Sequence, residues 1–364
     1  MRRTKPDYFR ELLSLDDIDR VLTTLDRRYP DVLLKRADCT ILPADYTIDG
    51  STLDVARVFE LFEGGATLTL AFLDTVLPNL ERICREIEIE LSMPLQANVY
   101  LTPPGEQGAN VHFDTHDVFV LQVCGSKQWT IYDAPLPLPL PGQAFDPDLH
   151  RPGAATQEFE LGAGDVLYIP RGWFHEARTT GVTSLHITAG VLRYTWTDVL
   201  LELVSRVALE EPALRRALPV GFAREDFDRT AARQTLSQLL LVLQARADAD
   251  GALDHFVERF IADCPPLLRG QLRQLAAVEK LTLETVLGAR VGLVHRLHRD
   301  DASVTVESYG RRIQFPAHAG DAVAFALANR RYCLRDIPAS LDEAGRLALG
   351  RRLIREGLVS ILAP

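Results

Sequence analysis

The stretch Gly164-Asp165-Val166-Leu167-Tyr168-Ile169-Pro170-Arg171-Gly172-Trp173-Phe174-His175 decides the fold. Gly-Asp marks a turn, Val-Leu-Tyr-Ile a short apolar strand, and Pro-Arg-Gly a second tight turn that delivers His175 to the rim of a barrel. Well upstream stands His112-Phe113-Asp114. In residues 108–123 the second half reads as strand, and extended chain sends alternate side chains to one face. His112 and Asp114 are therefore expected to point the same way, with Cα atoms roughly 6.5 Å apart. One metal ion can reach both. His116 falls on the same nominal face, but four extended residues put it roughly 13 Å from His112. Ligand bonds of about 2 Å do not bridge that gap. His116 is read instead as a polar residue near the pocket mouth or a satisfied core histidine.

A lone His-x-Asp says little. With His175 at the end of an apolar strand the set becomes two histidines and one carboxylate, which hold one divalent ion and leave coordination positions open. That donor set is the facial triad of non-haem Fe(II) oxygenases. A purely structural account has to place the same polar groups in apolar strands without partners, which desolvation disfavours.

Several further phrases stand in register with these: Asn98-Val99-Tyr100-Leu101-Thr102-Pro103-Pro104, Phe119-Val120-Leu121-Gln122, Lys127-Gln128-Trp129 and Leu218-Pro219-Val220-Gly221-Phe222. With the metal motifs they resemble the JmjC-type ribosomal oxygenases, which are cupin-fold, 2-oxoglutarate-dependent hydroxylases. The resemblance covers nearly the whole chain. It implies an α+β protein: a double-stranded β-helix (jelly-roll cupin/JmjC) domain with an N-terminal helix-and-strand extension over residues 1–195, a helical dimerisation segment over 196–275, and a winged-helix-like domain over 276–364.

The resemblance makes His112, Asp114 and His175 the Fe(II) ligands and the catalytic centre. Lys127 is implied to pair with the distal carboxylate of 2-oxoglutarate, where a charge-assisted hydrogen bond suits a dicarboxylate. Asn98 and His186 are implied to lie beside the cosubstrate, and Tyr100 near the substrate. Family members couple oxidative decarboxylation of 2-oxoglutarate by O2 to hydroxylation of a carbon. The iron and cosubstrate carry that chemistry, and the protein positions one C–H bond. Three departures bear on the substrate. The bacterial arginine-hydroxylating branch carries Arg where this chain has Lys127, whereas the histidine-hydroxylating branch carries Lys. Asn110-Val111 stands where a more apolar or Pro-containing approach is the family habit. Gly190 stands where some members have a hydroxyl residue.

At 364 residues the chain has room for two or three domains with sizeable cores. No stretch approaches the roughly 20 apolar residues that cross a bilayer, and the basic start Met1-Arg2-Arg3 lacks a following apolar core, so no signal peptide is read. Cys39, Cys84, Cys124, Cys264 and Cys333 are scattered and odd in number, which points to reduced thiols and a cytoplasmic protein. The net charge of −10 argues against nonspecific nucleic-acid binding and suits a basic protein substrate.

Helical spacing is read at Val55–Phe62 and across Leu77, Leu80, Ile83, Cys84 and Ile87. Pro135–Gly142 reads as an irregular loop. From Gln234 to Ala247 the run Leu236, Leu239, Leu240, Leu241, Val242 and Leu243 exceeds one apolar face, so this helix is expected to be buried or to form a homodimer. Near the end, Val304–Phe315 reads as a hairpin around Gly310, Asp321–Arg330 and Leu341–Glu356 as helices, and Leu358–Leu362 as a closing strand. Arg346, Arg351, Arg352 and Arg355 sit among acidic residues, and a solvated helix face explains them better than DNA contact.

The expected function is hydroxylation of an amino-acid side chain, His or Arg, in a protein substrate of ribosomal origin. Two alternatives stand beside it. One is a hydroxylase of a small molecule or peptide natural product; the other is a non-catalytic binding protein built from the winged-helix and cupin parts.

Overall fold

A computed structural model describes residues 5–133 and 136–362. The chain divides into two compact units, Met1–Leu192 and Arg193–Pro364. The first contains helices α1 (Leu15–Thr24), α2 (Val55–Glu63) and α3 (Pro78–Leu91). Its strands are β1 (Val32–Lys35), β2 (Thr67–Leu70), β3 (Leu95–Thr102), β4 (Asp117–Cys124), β5 (Ser126–Tyr132), β6 (Ala155–Gly162), β7 (Val166–Ile169), β8 (His175–Thr179) and β9 (Ser184–Val191). They form a six-stranded sheet in the order β1-β2-β3-β9-β4-β7 and a three-stranded sheet in the order β6-β5-β8. Every pairing is antiparallel.

Period-two alternation sorts the residues of the larger sheet onto its two faces. Leu95, Ala97, Val99 and Leu101 of β3 are buried. The last three join Leu68, Leu70, Leu185 and Ile187 in one core with Ile18, Val21, Leu22, Val58, Leu80 and Cys84 of the helices. Each fully buried Leu or Val there contributes about 1.5–3 kcal/mol. A capping box of Ser14 and Asp17 starts α1, and the Asp54 side chain caps α2. The opposite face of the sheet carries Tyr100 and Thr102 of β3. It meets the smaller sheet in a second core, where Val118, Val120 and Ile169 pack with Trp129, Ile131 and Leu161.

The first strand of the metal motif begins later than its alternation suggests. β4 starts at Asp117, so His112 and Asp114 are not strand neighbours sharing a face. They sit on the irregular approach to it, pinned by an isolated antiparallel bridge between His112 and His175.

The second unit contains α4 (Trp196–Glu210), α5 (Thr230–Arg246), α6 (Ala249–Asp263), α7 (Gln271–Ala277), β10 (Val286–Ala289), β11 (Arg296–Arg299), β12 (Ser303–Ser308), β13 (Arg311–Pro316), α8 (Gly320–Ala328), β14 (Tyr332–Cys333), α9 (Glu343–Arg355) and β15 (Val359–Ile361). Its two three-stranded sheets, β14-β10-β15 and β11-β12-β13, enclose a core with Val323, Ala326, Leu353 and Ile354 of α8 and α9. The β12–β13 hairpin turns on Tyr309 and Gly310, both with positive φ (47° and 65°), the backbone a two-residue type I′ turn requires. The leucine-rich α5 buries no residue; Leu236, Leu240 and Leu241 are 58%, 56% and 64% exposed. The α9 arginines are engaged within the unit. Arg351 and Arg355 pair with Glu279, Arg352 lies over the Phe315 ring, and Arg346 donates to the Arg335 carbonyl. Pro135 of the proline-rich loop lies outside the described residues. Among the described residues no two cysteines are joined in a disulfide. Among the described residues no helix is long and apolar enough to cross a membrane.

Candidate functional site

His112, Asp114 and His175 converge at one end of the barrel. One ligand atom from each lies within 4.8 Å of the others, and His175 Nε2 is 3.7 Å from Asp114 Oδ2. Bonds of about 2.1 Å to a shared ion imply donor separations of about 3–4 Å, so the set fits one divalent metal after a small contraction.

Backbone pairing assembles it. The His112 N–H donates to the His175 carbonyl at 3.2 Å, and the His175 N–H returns the bond to the His112 carbonyl at 2.8 Å. Asp114 is held by its own carbonyl, which accepts from the Gly172 N–H at 2.9 Å. Gly172 has φ +84°, and a Cβ there would meet the Leu136 carbonyl oxygen at 2.2 Å; only glycine makes this turn. Asp117 braces the turn from β4, where its carboxylate accepts from the Arg171 N–H at 2.8 Å and from the Tyr168 hydroxyl at 3.2 Å.

Both imidazoles are oriented in the same way. His112 Nδ1 lies 2.8 Å from the Asn110 carbonyl and His175 Nδ1 lies 3.1 Å from the Trp173 carbonyl. A carbonyl accepts only, so each Nδ1 carries the hydrogen and each Nε2 is free to ligate. Burial, and then the neighbouring His112, push the His175 pKa down, which keeps that ring neutral, the form a metal takes.

The triad opens on a cavity of about 120 Å³ between the two sheets. Lys127 lines it, 4% exposed, and its Nζ donates to Thr102 Oγ1 at 3.0 Å. Burial lowers its pKa from 10.5 to about 7. Among the described residues no carboxylate pairs with it. Tyr100 and His186 also line the cavity, stacked with ring centroids 4.9 Å apart and planes 6° from parallel. Burial, then the Asp114 carboxylate, raise the Tyr100 phenol to about 12. Burial, then Lys127, drive the His186 pKa well down. Three side chains of the cavity lining each hold a buried polar atom with no hydrogen-bond partner among the described residues: Thr69 Oγ1, Trp129 Nε1 and His186 Nδ1. All three belong to the barrel strands. Such orphans cost roughly 1–3 kcal/mol each, and an interior that keeps them is built for a polar guest. A buried ammonium facing the triad across the cavity fits a guest that carries an anion at its far end.

The structure therefore brings His112, Asp114, His175, Lys127, Tyr100 and His186 around one cavity. Asn98 is apart from it: the residue faces the same side of β3, but its Oδ1 accepts from Gln96 Nε2 at 3.1 Å and it is not among the lining residues. His116 is outside the donor set, and its ring fills the space above Gly190, where a Cβ would meet Cδ2 at 2.7 Å. A larger side chain at residue 190 would displace it. Sequence reasoning missed Lys35, Thr67, Thr69 and Thr188, which line the cavity. Threonine in a strand reads as β-propensity, and only the sheet register shows which way it faces.

These features define a cupin-fold protein with a candidate two-histidine, one-carboxylate metal centre. Residues 72–199 match the JmjC domain family. The chain is 28% identical over 289 residues to ribosomal oxygenase 1 of Danio rerio, covering 74% of this chain and 53% of that protein. It is 31% identical over 291 residues to the bifunctional lysine-specific demethylase and histidyl-hydroxylase NO66 of Aedes aegypti, covering 74% and 45%. Its fold matches crystallised Escherichia coli ribosomal oxygenase YcfD with a TM-score of 0.53 at 16% identity, over 96% of this chain and 91% of that one. A second YcfD structure, in complex with cobalt and 2-oxoglutarate, matches with a TM-score of 0.52. The chain thus carries a JmjC domain and is a relative of the ribosomal oxygenases. It spans about half the length of the curated relatives it matches.

Proposed function

We propose that this protein is an Fe(II)- and 2-oxoglutarate-dependent oxygenase that hydroxylates a side chain of a ribosomal protein. One observation carries the reading: a two-histidine, one-carboxylate cluster shares a cavity with a buried lysine that has no carboxylate partner among the described residues. The relatives named as ribosomal oxygenases and as a histidyl-hydroxylase support it, as does the cobalt and 2-oxoglutarate complex of YcfD.

Iron, 2-oxoglutarate and O2 would supply the oxidising chemistry at the triad. The chain's own part is to bind and aim. His112 and His175 offer Nε2, each fixed by a carbonyl on Nδ1, and Asp114 offers its carboxylate. Lys127 neutralises the distal carboxylate of the cosubstrate at the far wall. Tyr100 and His186 form a flat wall between the two ends, and the apolar Val118, Val120 and Ile169 line the cavity and exclude water. No side chain is needed as general acid or base. Lys127 in place of arginine favours histidine over arginine as the target.

We further propose that residues 196–275 form a helical dimerisation segment and residues 276–364 a winged-helix-like domain. The uncovered leucines of α5 support the first, and the β12–β13 wing beside α8 and α9 supports the second. A substrate on the ribosome would place the activity in the cytoplasm. Comparing masses of host ribosomal proteins with and without this gene tests the function. The expected result is a gain of one oxygen in one peptide, lost again with His112→Ala. No shift in any ribosomal protein would refute the substrate class. A monomeric mass by light scattering would refute the dimer.

A further inference from the structure

The proline-rich connection from β5 to β6 has no part in the chemistry proposed above, yet it folds back onto both metal motifs. Near its start Pro139 is buried. A Cβ on Gly172 would run into the Leu136 carbonyl oxygen and lie 2.8 Å from Pro139 Cδ. Gly172 is the residue whose N–H holds the Asp114 carbonyl, so the proline run closes that turn from outside.

Further along, Asp146–His150 is a turn that fastens on itself. The His150 N–H donates to the Asp146 carbonyl at 2.8 Å, and the Asp146 N–H donates to His150 Nδ1 at 3.0 Å. The Phe145 and His150 rings are thereby set side by side, with centroids 5.9 Å apart and planes 30° from parallel. Both meet Phe113 edge to face, at 5.5 Å and 5.0 Å. Phe145 also meets Phe174 edge to face at 5.7 Å, and Phe113 and Phe174 meet each other at 5.5 Å. Phe113 stands between the ligands His112 and Asp114, and Phe174 immediately precedes His175. These two rings are 2% and 0% exposed, and neither they nor Phe145 and His150 line the cavity. Rings at such separations and angles attract beyond the area they bury, and a close-packed cluster passes the displacement of one member to the next.

Resting on the metal centre of the function proposed above, we propose that Phe145 and His150 are positioning residues for that centre. The β5–β6 loop clamps Phe113 and Phe174 and so holds His112, Asp114 and His175 at ligating separation. Linkage makes the effect reciprocal: if the clamped loop raises metal affinity, bound metal stabilises the clamped loop by the same factor. A loop that only covers the barrel has no such coupling.

The test uses Co(II) and the full chain, with affinity and ligand geometry read from the visible absorption of the bound ion. Phe145→Ala releases Phe113 and Phe174 together and is expected to weaken Co(II) binding by about tenfold and to alter the band, whereas His150→Ala releases Phe113 alone and should cost about threefold, both within the worth of aromatic pairs. His150→Phe keeps a ring at this place and should stay within about twofold of wild type on the same grounds. Val58→Ala, in the core shared with the helices, should lower the melting temperature and leave the Co(II) affinity and band unchanged. In the wild-type chain, amide hydrogen exchange over residues 143–150 should slow by up to about tenfold when Co(II) is added, a readout that holds even where Phe145→Ala fails to fold. Wild-type affinity and band in both alanine variants, equal losses of affinity in Val58→Ala and Phe145→Ala, or exchange unmoved by Co(II) would overturn the clamp while leaving the proposed function intact. Co(II) binding that survives His112→Ala unchanged would overturn the metal centre and the clamp with it.

Discussion

The two ends of the cavity are built by different means. At the metal end the donors are placed by local backbone pairing: the reciprocal His112–His175 bonds, the Gly172 turn, and a carbonyl two residues before each histidine holding its Nδ1. At the anion end nothing is local. Lys127 of β5, Thr102 of β3 and Thr67 of β2 meet only because two sheets close on each other. The metal end is a set of groups whose partners are all present before an ion arrives. The anion end holds a charge whose natural partner must come from outside. A site of this design is rigid where a metal needs fixed geometry, and it meets a desolvation penalty where a ligand can relieve it.

The largest expected effect breaks the metal end. His112→Ala should abolish conversion of 2-oxoglutarate to succinate and remove bound iron measured by elemental analysis. Iron retained at wild-type stoichiometry would show that the ion sits elsewhere. Next in size is Lys127→Met, which should raise the 2-oxoglutarate concentration for half-saturation on the order of 100-fold, as expected when one partner of a buried ion pair is removed. The ligand-free melting temperature should hold or rise, because a buried, uncompensated ammonium is replaced by a side chain that belongs there. A drop of several degrees with unchanged 2-oxoglutarate binding would make Lys127 a structural residue.

The pH dependence sharpens the same contrast. Burial holds Lys127 at about 7 in the folded chain against 10.5 in the unfolded one. Below about pH 7 both states carry the proton and the folded chain bears the full cost of burying it. Between about 7 and 10.5 that cost is relieved, so this group makes the ligand-free chain more stable as pH rises through the window. A dicarboxylate demands the charged form, so its affinity should fall by up to tenfold per unit above pH 7, with proton uptake on binding. Calorimetry in two buffers of different ionisation enthalpy measures the uptake; identical heats at pH 8 would contradict it. The smallest effect is expected for Asp117→Ala, which frees the turn before His175. It should weaken metal binding by about threefold to tenfold, less than the roughly 10–100-fold that follows loss of a partner bonded directly to a ligand, with Asp117→Asn partly restoring it.

The same contrast explains what is legible in the sequence. His112, Asp114 and His175 are readable because a metal restricts residue type and spacing, and the strand and turns before His175 are written in Val-Leu-Tyr-Ile and Pro-Arg-Gly. Their delivery is not. Strand alternation puts His112 and Asp114 on one face, whereas β4 begins only at Asp117 and a two-residue bridge does the placing. Lys127 is assigned through the family resemblance, since a Lys after Gly-Ser otherwise reads as a turn residue. Thr67 and Thr69 are invisible, because Thr-Leu-Thr-Leu announces a strand without saying which face meets a ligand. Asn98 faces the expected side of β3 but is tied to Gln96. In the second half, helix periodicity and the Gly310 turn mark the elements, and that turn takes the backbone a tight hairpin needs.

The most direct measurement is the visible absorption that Fe(II) acquires when 2-oxoglutarate binds it, recorded without oxygen on wild type, His112→Ala and Lys127→Met. Wild type should develop the band at low cosubstrate concentration, Lys127→Met only at far higher concentration, and His112→Ala not at all. A band that forms equally in all three, or in none, would contradict a shared metal and dicarboxylate site in this cavity.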